Sequence, residues 1–273
     1  MIVAINYADA PYKKAQHYNT KTAYKIGKVD KVIEYGPEDI DSDYLNKHDY
    51  AFILNDKRAG KFCLWRPRIL KKTYEELNQG DYLIYADSGS YYYDDVHKLI
   101  EVMDRDKLDI MVFEDTNYEK AYSKRDIFVY LKADTDEFAD SYQRISTFFI
   151  LRKSDKADEF VDEYYRLTDE APYLFTDEEN RLGKDNYEGF VDTRHNQSIL
   201  SLITKRMGVP AYRDPSQWGY YRELAARKEG TSDEVLYRSS FPRIFTHHRK
   251  KKVNPLMQIK LERMYKRKKQ EFI

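Results

Sequence analysis

The chain has 273 residues, with 47 basic side chains balancing 47 acidic ones, 41% hydrophobic residues, 15% aromatic residues and one cysteine. That hydrophobic and aromatic content excludes a disordered chain and is enough for one large domain or two small ones. Zero net charge removes any whole-molecule attraction to nucleic acid, and a lone Cys63 excludes both an intramolecular disulfide framework and a cysteine-based zinc cluster. Cys63 reads as a small buried hydrophobe.

The longest apolar runs, residues 51–54 and 147–151, fall far short of the ~20 residues needed to span a bilayer. The start, Met1-Ile2-Val3-Ala4-Ile5-Asn6, has no basic flank and too short an apolar run for a signal peptide, so the expected location is the cytosol.

Residues 2–5 form a β-rich apolar run, as in a strand buried on both faces of a parallel sheet. A polar helical pattern covers 10–26 and closes at Gly27, and 29–35 reads as a second strand before Gly36-Pro37. Residues 37–55 read as loop with a short helix, and 65–77 as an amphipathic helix that tolerates Pro67 in its first turn. The clearest buried strand is 82–86, which stops at Asp87-Ser88-Gly89-Ser90. A helix and a strand at 110–113 follow, then a strand at 144–151 and a helix over 154–167 with Ser154 as its N-cap. Acidic residues crowd 169–192, which reads as a surface excursion, and 196–207 reads as a helix ended by Gly208. Strands alternating with helices predict an α/β fold with a mostly parallel, Rossmann-like central sheet flanked by helices.

From residue 249 to 273 there are 10 basic residues and 2 acidic ones, so the preceding 248 carry the matching acidic excess. Val253, Met257, Leu261 and Met264 recur at helical spacing in this tail. The expected organisation is one domain over 1–248 and a basic amphipathic C-terminal helix over 249–273.

Ligands of open parallel sheets bind at the carboxyl ends of the strands, which directs attention to Asn6-Tyr7-Ala8-Asp9 and Asp87-Ser88-Gly89-Ser90. The second could approach a phosphate or a metal-bound diphosphate closely, and the simpler reading is an Asp opening a turn. Trp65-Arg66-Pro67-Arg68 sets two guanidinium groups beside an indole at a helix start, suited to a phosphate or a nucleotide edge; the alternative is a core Trp with solvated arginines. Lys124-Arg125-Asp126 could clamp a phosphate or form an ordinary helix turn. Thr193-Arg194-His195-Asn196-Gln197-Ser198 could orient a sugar hydroxyl or merely cap a helix. In His247-His248-Arg249 the adjacent imidazoles point to opposite faces if extended, so one of them at most joins a given site. There is no P-loop, Gly-x-Gly-x-x-Gly, Gly-x-Ser-x-Gly or His-Glu-x-x-His.

The order of these motifs resembles bacterial nucleotide-sugar glycosyltransferases of the GT-A fold, such as those of capsule, lipopolysaccharide and other surface-glycan synthesis. The resemblance rests on Ala4-Ile5-Asn6-Tyr7-Ala8, Trp65-Arg66-Pro67, Tyr85-Ala86-Asp87-Ser88-Gly89, Lys124-Arg125-Asp126, Arg194-His195-Asn196-Gln197-Ser198 and His247-His248-Arg249, and covers roughly the first 250 residues. Two late positions depart from it: Thr193 stands for a His and Asn196 for an Asp, and Asn196 cannot act as a general base.

The resemblance implies transfer of a sugar from a nucleoside-diphosphate donor, UDP being the first expectation, to a glycan or lipid-linked acceptor. Negative charge developing on the leaving diphosphate would be met by a divalent cation or by fixed Arg, Lys and His donors. It implies Ala4, Asn6 and Tyr7 at the nucleoside, and Trp65, Arg66, Ser88, Gly89, Lys124 and Arg249 around the diphosphate or donor sugar. Asp126 would hold a sugar hydroxyl, while His195, Asn196 and Gln197 would lie near the anomeric carbon. Asp87 would anchor Mn²⁺ or Mg²⁺ with His248 or water completing the shell, because Gly89 takes the third position of the usual Asp-x-Asp pair. Competing expectations are a non-catalytic nucleotide-sugar-binding protein of the same fold and a membrane-surface protein. The basic tail suits peripheral contact with an anionic membrane, at its inner face, while an acidic body argues against a nucleic-acid partner.

Overall fold

The computed structural model describes residues 1–47, 62–219 and 239–272. The apolar run 51–54 lies outside the described residues. In chain order the strands are β1 (Ile2–Tyr7), β2 (Lys31–Tyr35), β3 (Tyr82–Ala86), β4 (Ser90–Tyr92), β5 (Ile110–Tyr118), β6 (Tyr142–Arg144), β7 (Phe148–Arg152), β8 (Ala211–Arg213) and β9 (Phe245–His247). The main sheet runs β2-β1-β3-β7-β5-β6, with β8 also on β5, and β4 pairs separately with β9. It is parallel through β2, β1 and β3 and mixed beyond, because β7 enters antiparallel between β3 and β5.

Side-chain alternation gives this sheet two buried faces. Val3, Ile5, Leu83, Tyr85, Phe149 and Leu151 pack on one side against the helices Trp65–Glu75, Asp155–Glu170 and Asn196–Arg206. Their neighbours in sequence, Ile2, Ala4, Ile84, Ala86, Phe148 and Ile150, pack on the other side with the helix His97–Arg105 and with Phe245. Runs that looked uniformly apolar are therefore explained by a layer of helices on each face. The expected α/β architecture, a central sheet flanked by helices, is the one observed.

Several boundaries differ from the sequence pattern. The run 144–151 divides into β6 and β7, with β6 on β5 and β7 crossing to β3, so Ile145 to Thr147 form a turn. The helix expected over 10–26 is α-helical only for Lys13–Thr22 and then widens into a π turn at Ala23–Gly27. A Cβ on Gly27 would run into the Tyr92 ring, so a larger residue in this turn requires that ring to shift. Ser154 caps the helix Asp155–Glu170 as expected, accepting a hydrogen bond from the Ala157 N–H.

The basic tail forms a helix, Pro255–Phe272, that lies against the body. Val253, Leu261 and Tyr265 cluster with Tyr91, while Met257 and Met264, expected on the same face, point outward at 36% and 41% exposure. The helix begins at Pro255, so Val253 precedes it and sets no helical phase. Its orientation is set instead by Glu262, whose carboxylate takes two bonds from the Arg243 guanidinium, at 3.0 and 2.7 Å, and one from the Tyr91 hydroxyl at 2.8 Å.

Phe149, fully buried in the helix-covered face between β3 and β5, tests this core. Phe149→Ala should lower the unfolding free energy by about 3–5 kcal/mol in urea titration.

Candidate functional site

Because β1 and β3 are parallel, their carboxyl ends meet at one edge, and a cavity of about 730 Å³ opens there. Tyr7 and Ala8 follow β1 into its wall, and Asp87, Ser88 and Gly89 follow β3. The turn Ser146-Thr147 joins them, since β7 is antiparallel and its start lies beside the end of β3. Trp65 and Arg66 enter from the first turn of their helix, residues 192–197 from the segment leading into Asn196–Arg206, and His247, Arg249 and Lys251 from the chain after β9.

Arg66 is the buried hub of this edge. Its guanidinium donates to Asp87 Oδ1 at 2.9 Å and to the Ser146 carbonyl at 3.1 Å, and lies 4.5 Å from the centre of the Tyr85 ring. Burial penalises that charge, but Tyr85 and Asp87 outweigh the penalty, so Arg66 holds its proton more tightly than an ordinary arginine. The Tyr85 hydroxyl also donates to Asp87 Oδ1, at 2.7 Å, and burial first of all raises its pKa well above the usual phenol range. Asp87 is fixed through its backbone as well: its N–H donates to the Thr147 carbonyl, and its own carbonyl accepts from the Ser90 N–H. The Tyr7 ring stacks on Trp65 with centroids 3.7 Å apart.

The opposite wall is less satisfied. Asn196 Nδ2 and Thr193 Oγ1 are buried without a hydrogen-bond partner, although both residues line the cavity. The Arg66 Nε, across the cavity, is likewise buried and unpaired. His195 has φ +52° and ψ −121°, a region costly for a non-glycine residue, and its Nε2 lies 2.6 Å from Asp177 Oδ1. The Gln197 amide is engaged, donating to Gln143 Oε1 at 3.1 Å and accepting from the Ser146 N–H at 3.3 Å.

Tyr7, Trp65, Arg66, Asp87, Ser88, Gly89, His195, Asn196, Gln197 and Arg249 are thus brought together around one cavity. Others from the sequence reading are not. Ala4 and Asn6 lie beneath the wall; the Asn6 amide donates to Asn19 Oδ1 and accepts from Gln16, which makes it a buried strut. Lys124 is buried and donates to the carbonyls of Tyr173 and Glu178, and Asp126 accepts the backbone N–H groups of Arg181 and Leu182. These two residues pin the acidic excursion through its backbone rather than contacting the cavity. His248 turns away, its ring over Tyr91 and its Nδ1 accepting the Lys250 N–H, while alternation brings His247 to the wall instead. Burial, then Arg249, depresses the His247 pKa to about 3, so it is neutral near pH 7.

Sequence reasoning passed over Tyr12, Ser146, Thr147, Asp192 and Lys251, all on the wall. Ser146 and Thr147 had a usable signal, two hydroxyl residues breaking an apolar run, but the antiparallel sense of β7 that brings them to the site has no local signature. Cys63 also lines the cavity, and burial pushes its thiol up to about 11.

The residues present do not assemble a divalent-cation cage. Among the described residues no three His, Cys, Asp or Glu side chains group as metal ligands, Asp87 Oδ1 is already taken by Arg66 and Tyr85, and His248 lies off the wall.

No protein-family model and no curated protein sequence matches the chain. Among solved structures it is similar to a glycosyltransferase involved in glycosylation of the major capsid of PBCV-1, at 12% identity over 90% of this chain and 91% of that one, with a TM-score of 0.45. It is also similar to mouse xyloside xylosyltransferase 1, at 9% identity over 90% and 97% of the two chains and a TM-score of 0.45. A third is the galactosyltransferase LgtC, solved with donor and acceptor sugar analogs, at 12% identity over 93% and 87% and a TM-score of 0.44. Likenesses this remote leave the reading of the site to the side chains of this chain.

Two measurements probe the site directly. Arg66→Lys keeps the charge but cannot reach both Asp87 and Ser146, and should cost about 1.5–3 kcal/mol of stability by thermal or urea unfolding. A thiol pKa of about 11 leaves Cys63 almost wholly protonated at neutral pH, so its modification by a disulfide reagent should speed up about tenfold per pH unit from pH 7 to 9.

Proposed function

We propose that the chain is a GT-A-like glycosyltransferase of the hexosyltransferase type. It would move a sugar from a nucleoside-diphosphate sugar, with UDP as the first candidate nucleotide, to a hydroxyl of a glycan or lipid-linked acceptor in bacterial capsule, lipopolysaccharide or other surface-polysaccharide synthesis. The observation that carries this reading is the pairing, across one strand-end cavity, of a charge-rich wall with the unsatisfied Asn196 Nδ2 and Thr193 Oγ1. A donor with a polyanionic half and a hydroxyl-bearing half matches both walls.

In the proposed reaction the bond between the anomeric carbon and the diphosphate oxygen breaks, and the diphosphate leaves with the electron pair. A bond forms to the acceptor oxygen, whose proton passes to the His195 imidazole. Asn196 and Thr193 are assigned to sugar hydroxyls. His195, oriented by Asp177, is assigned to the acceptor hydroxyl, since it faces the acidic excursion over 169–192.

The helix Pro255–Phe272 supports a second part of the proposal, peripheral contact with the inner face of an anionic membrane. No helix among the described residues is long and apolar enough to cross a membrane. Leu256 is 79% exposed and Ile259 50%, on the side turned away from Leu261 and Tyr265 and interleaved with Lys260, Arg263 and Arg267.

A panel of nucleotide sugars tests the enzyme reading: one donor should be hydrolysed or transferred, and should raise the melting temperature and slow Cys63 modification. Stabilisation without turnover would make the chain a nucleotide-sugar-binding protein, and neither effect with any donor would end the proposal. His195→Ala should lower kcat about 10²-fold or more, with a smaller change in the KM for the donor. Leu256→Glu combined with Ile259→Glu should abolish sedimentation with anionic liposomes while leaving the melting temperature unchanged; undiminished sedimentation would refute the membrane contact.

A further inference from the structure

We infer that this cavity binds the diphosphate of its donor without a divalent cation, through the cationic side chains of Arg249, Lys251 and Arg194; the inference rests on the glycosyltransferase reading above. Among the described residues its wall carries four cationic side chains, Arg66, Arg194, Arg249 and Lys251, against two carboxylates, Asp87 and Asp192. Divalent cations are held by carboxylate-rich sets, whereas arginine and lysine clamps neutralise phosphoryl oxygens directly. Of the two lining carboxylates Asp87 is the one that follows β3, and Arg66 already offsets its charge at 2.9 Å.

Gly89 shows how the exchange is built. A metal-binding Asp-x-Asp pair would put its second carboxylate at this position. Packing does not forbid a side chain there: a Cβ would meet nothing closer than the Arg249 Cα at 3.5 Å, ordinary contact, and the backbone is not in the left-handed region. What lies beside it is the backbone of a cationic residue, Arg249. The Gly89 carbonyl accepts the N–H groups of His248 and Arg249 at 2.8 and 2.9 Å, which holds the Arg249 backbone against the place a carboxylate would occupy. Arg194, Arg249 and Lys251 have no carboxylate within ion-pair distance among the described residues, so their charge is available to a ligand.

The test is titration calorimetry of the full chain with UDP and GDP, once in EDTA and once with Mn²⁺. The nucleotide that binds should do so with Kd values within threefold of each other in the two conditions, and Arg249→Ala should weaken it about tenfold or more in EDTA. Gly89→Asp adds a readout that misfolding cannot imitate: it should weaken binding in EDTA by about tenfold and make it Mn²⁺-dependent. Parent binding more than threefold tighter with Mn²⁺, or a Gly89→Asp protein that binds in EDTA as the parent does, overturns the cation assignment and leaves the glycosyltransferase reading standing. No binding of either nucleotide, together with no turnover or stabilisation by any nucleotide sugar, removes that reading itself.

Discussion

The contact between the buried Arg66 guanidinium and the Asp87 carboxylate, 2.9 Å apart, is the interaction on which the cavity edge depends. A guanidinium this deeply buried is costly unless its charge and its N–H groups are answered. Asp87 answers the charge and the Ser146 carbonyl takes a further N–H, while the Tyr85 ring covers the planar face and the Nε–H is left without a partner. One side chain thereby ties the first turn of a helix, the end of β3 and the turn before β7. Those elements together carry one wall of the cavity.

Across the cavity from Arg66 the polar atoms are less engaged. Asn196 Nδ2 and Thr193 Oγ1 lack partners, and His195 keeps a strained backbone beside Asp177. A fold tolerates such debts where a ligand settles them. The division also explains why Lys124 and Asp126 lie elsewhere. Their polar atoms are used up by the backbone of residues 173–182, so they shape the acidic excursion beside the cavity without presenting charge to it.

The C-terminal helix shows how a sequence pattern can name the element and miss its orientation. Helical spacing of Val253, Met257, Leu261 and Met264 marks an apolar stripe, and the helix forms. Its inward face is nevertheless chosen by polar geometry, the fork of Arg243 on Glu262 and the Tyr91 hydroxyl, which turns Tyr265 inward and leaves Met264 out. A bidentate pair has a narrow geometry, whereas an apolar stripe can rotate by one residue at small cost.

The sequence by itself determined the α/β class, a first strand read over 2–5, the strand 82–86, the helices after Ser154 and before Gly208, and the choice of Tyr7, Trp65-Arg66, Asp87 and His195-Asn196-Gln197, which the fold gathers around one cavity. Those features are written in periodicity, caps and chain breaks, all of which act over a few residues. Only the tertiary structure decided that β7 runs antiparallel beside β3 and delivers Ser146 and Thr147, and that His247 rather than His248 meets the cavity. It alone showed that Asp87 is answered by Arg66, and that the Arg249 backbone lies beside Gly89. Each of these depends on which distant segment arrives as a neighbour, and strand direction, ion-pair choice and the charge of a cavity wall are properties of neighbours that no local pattern encodes.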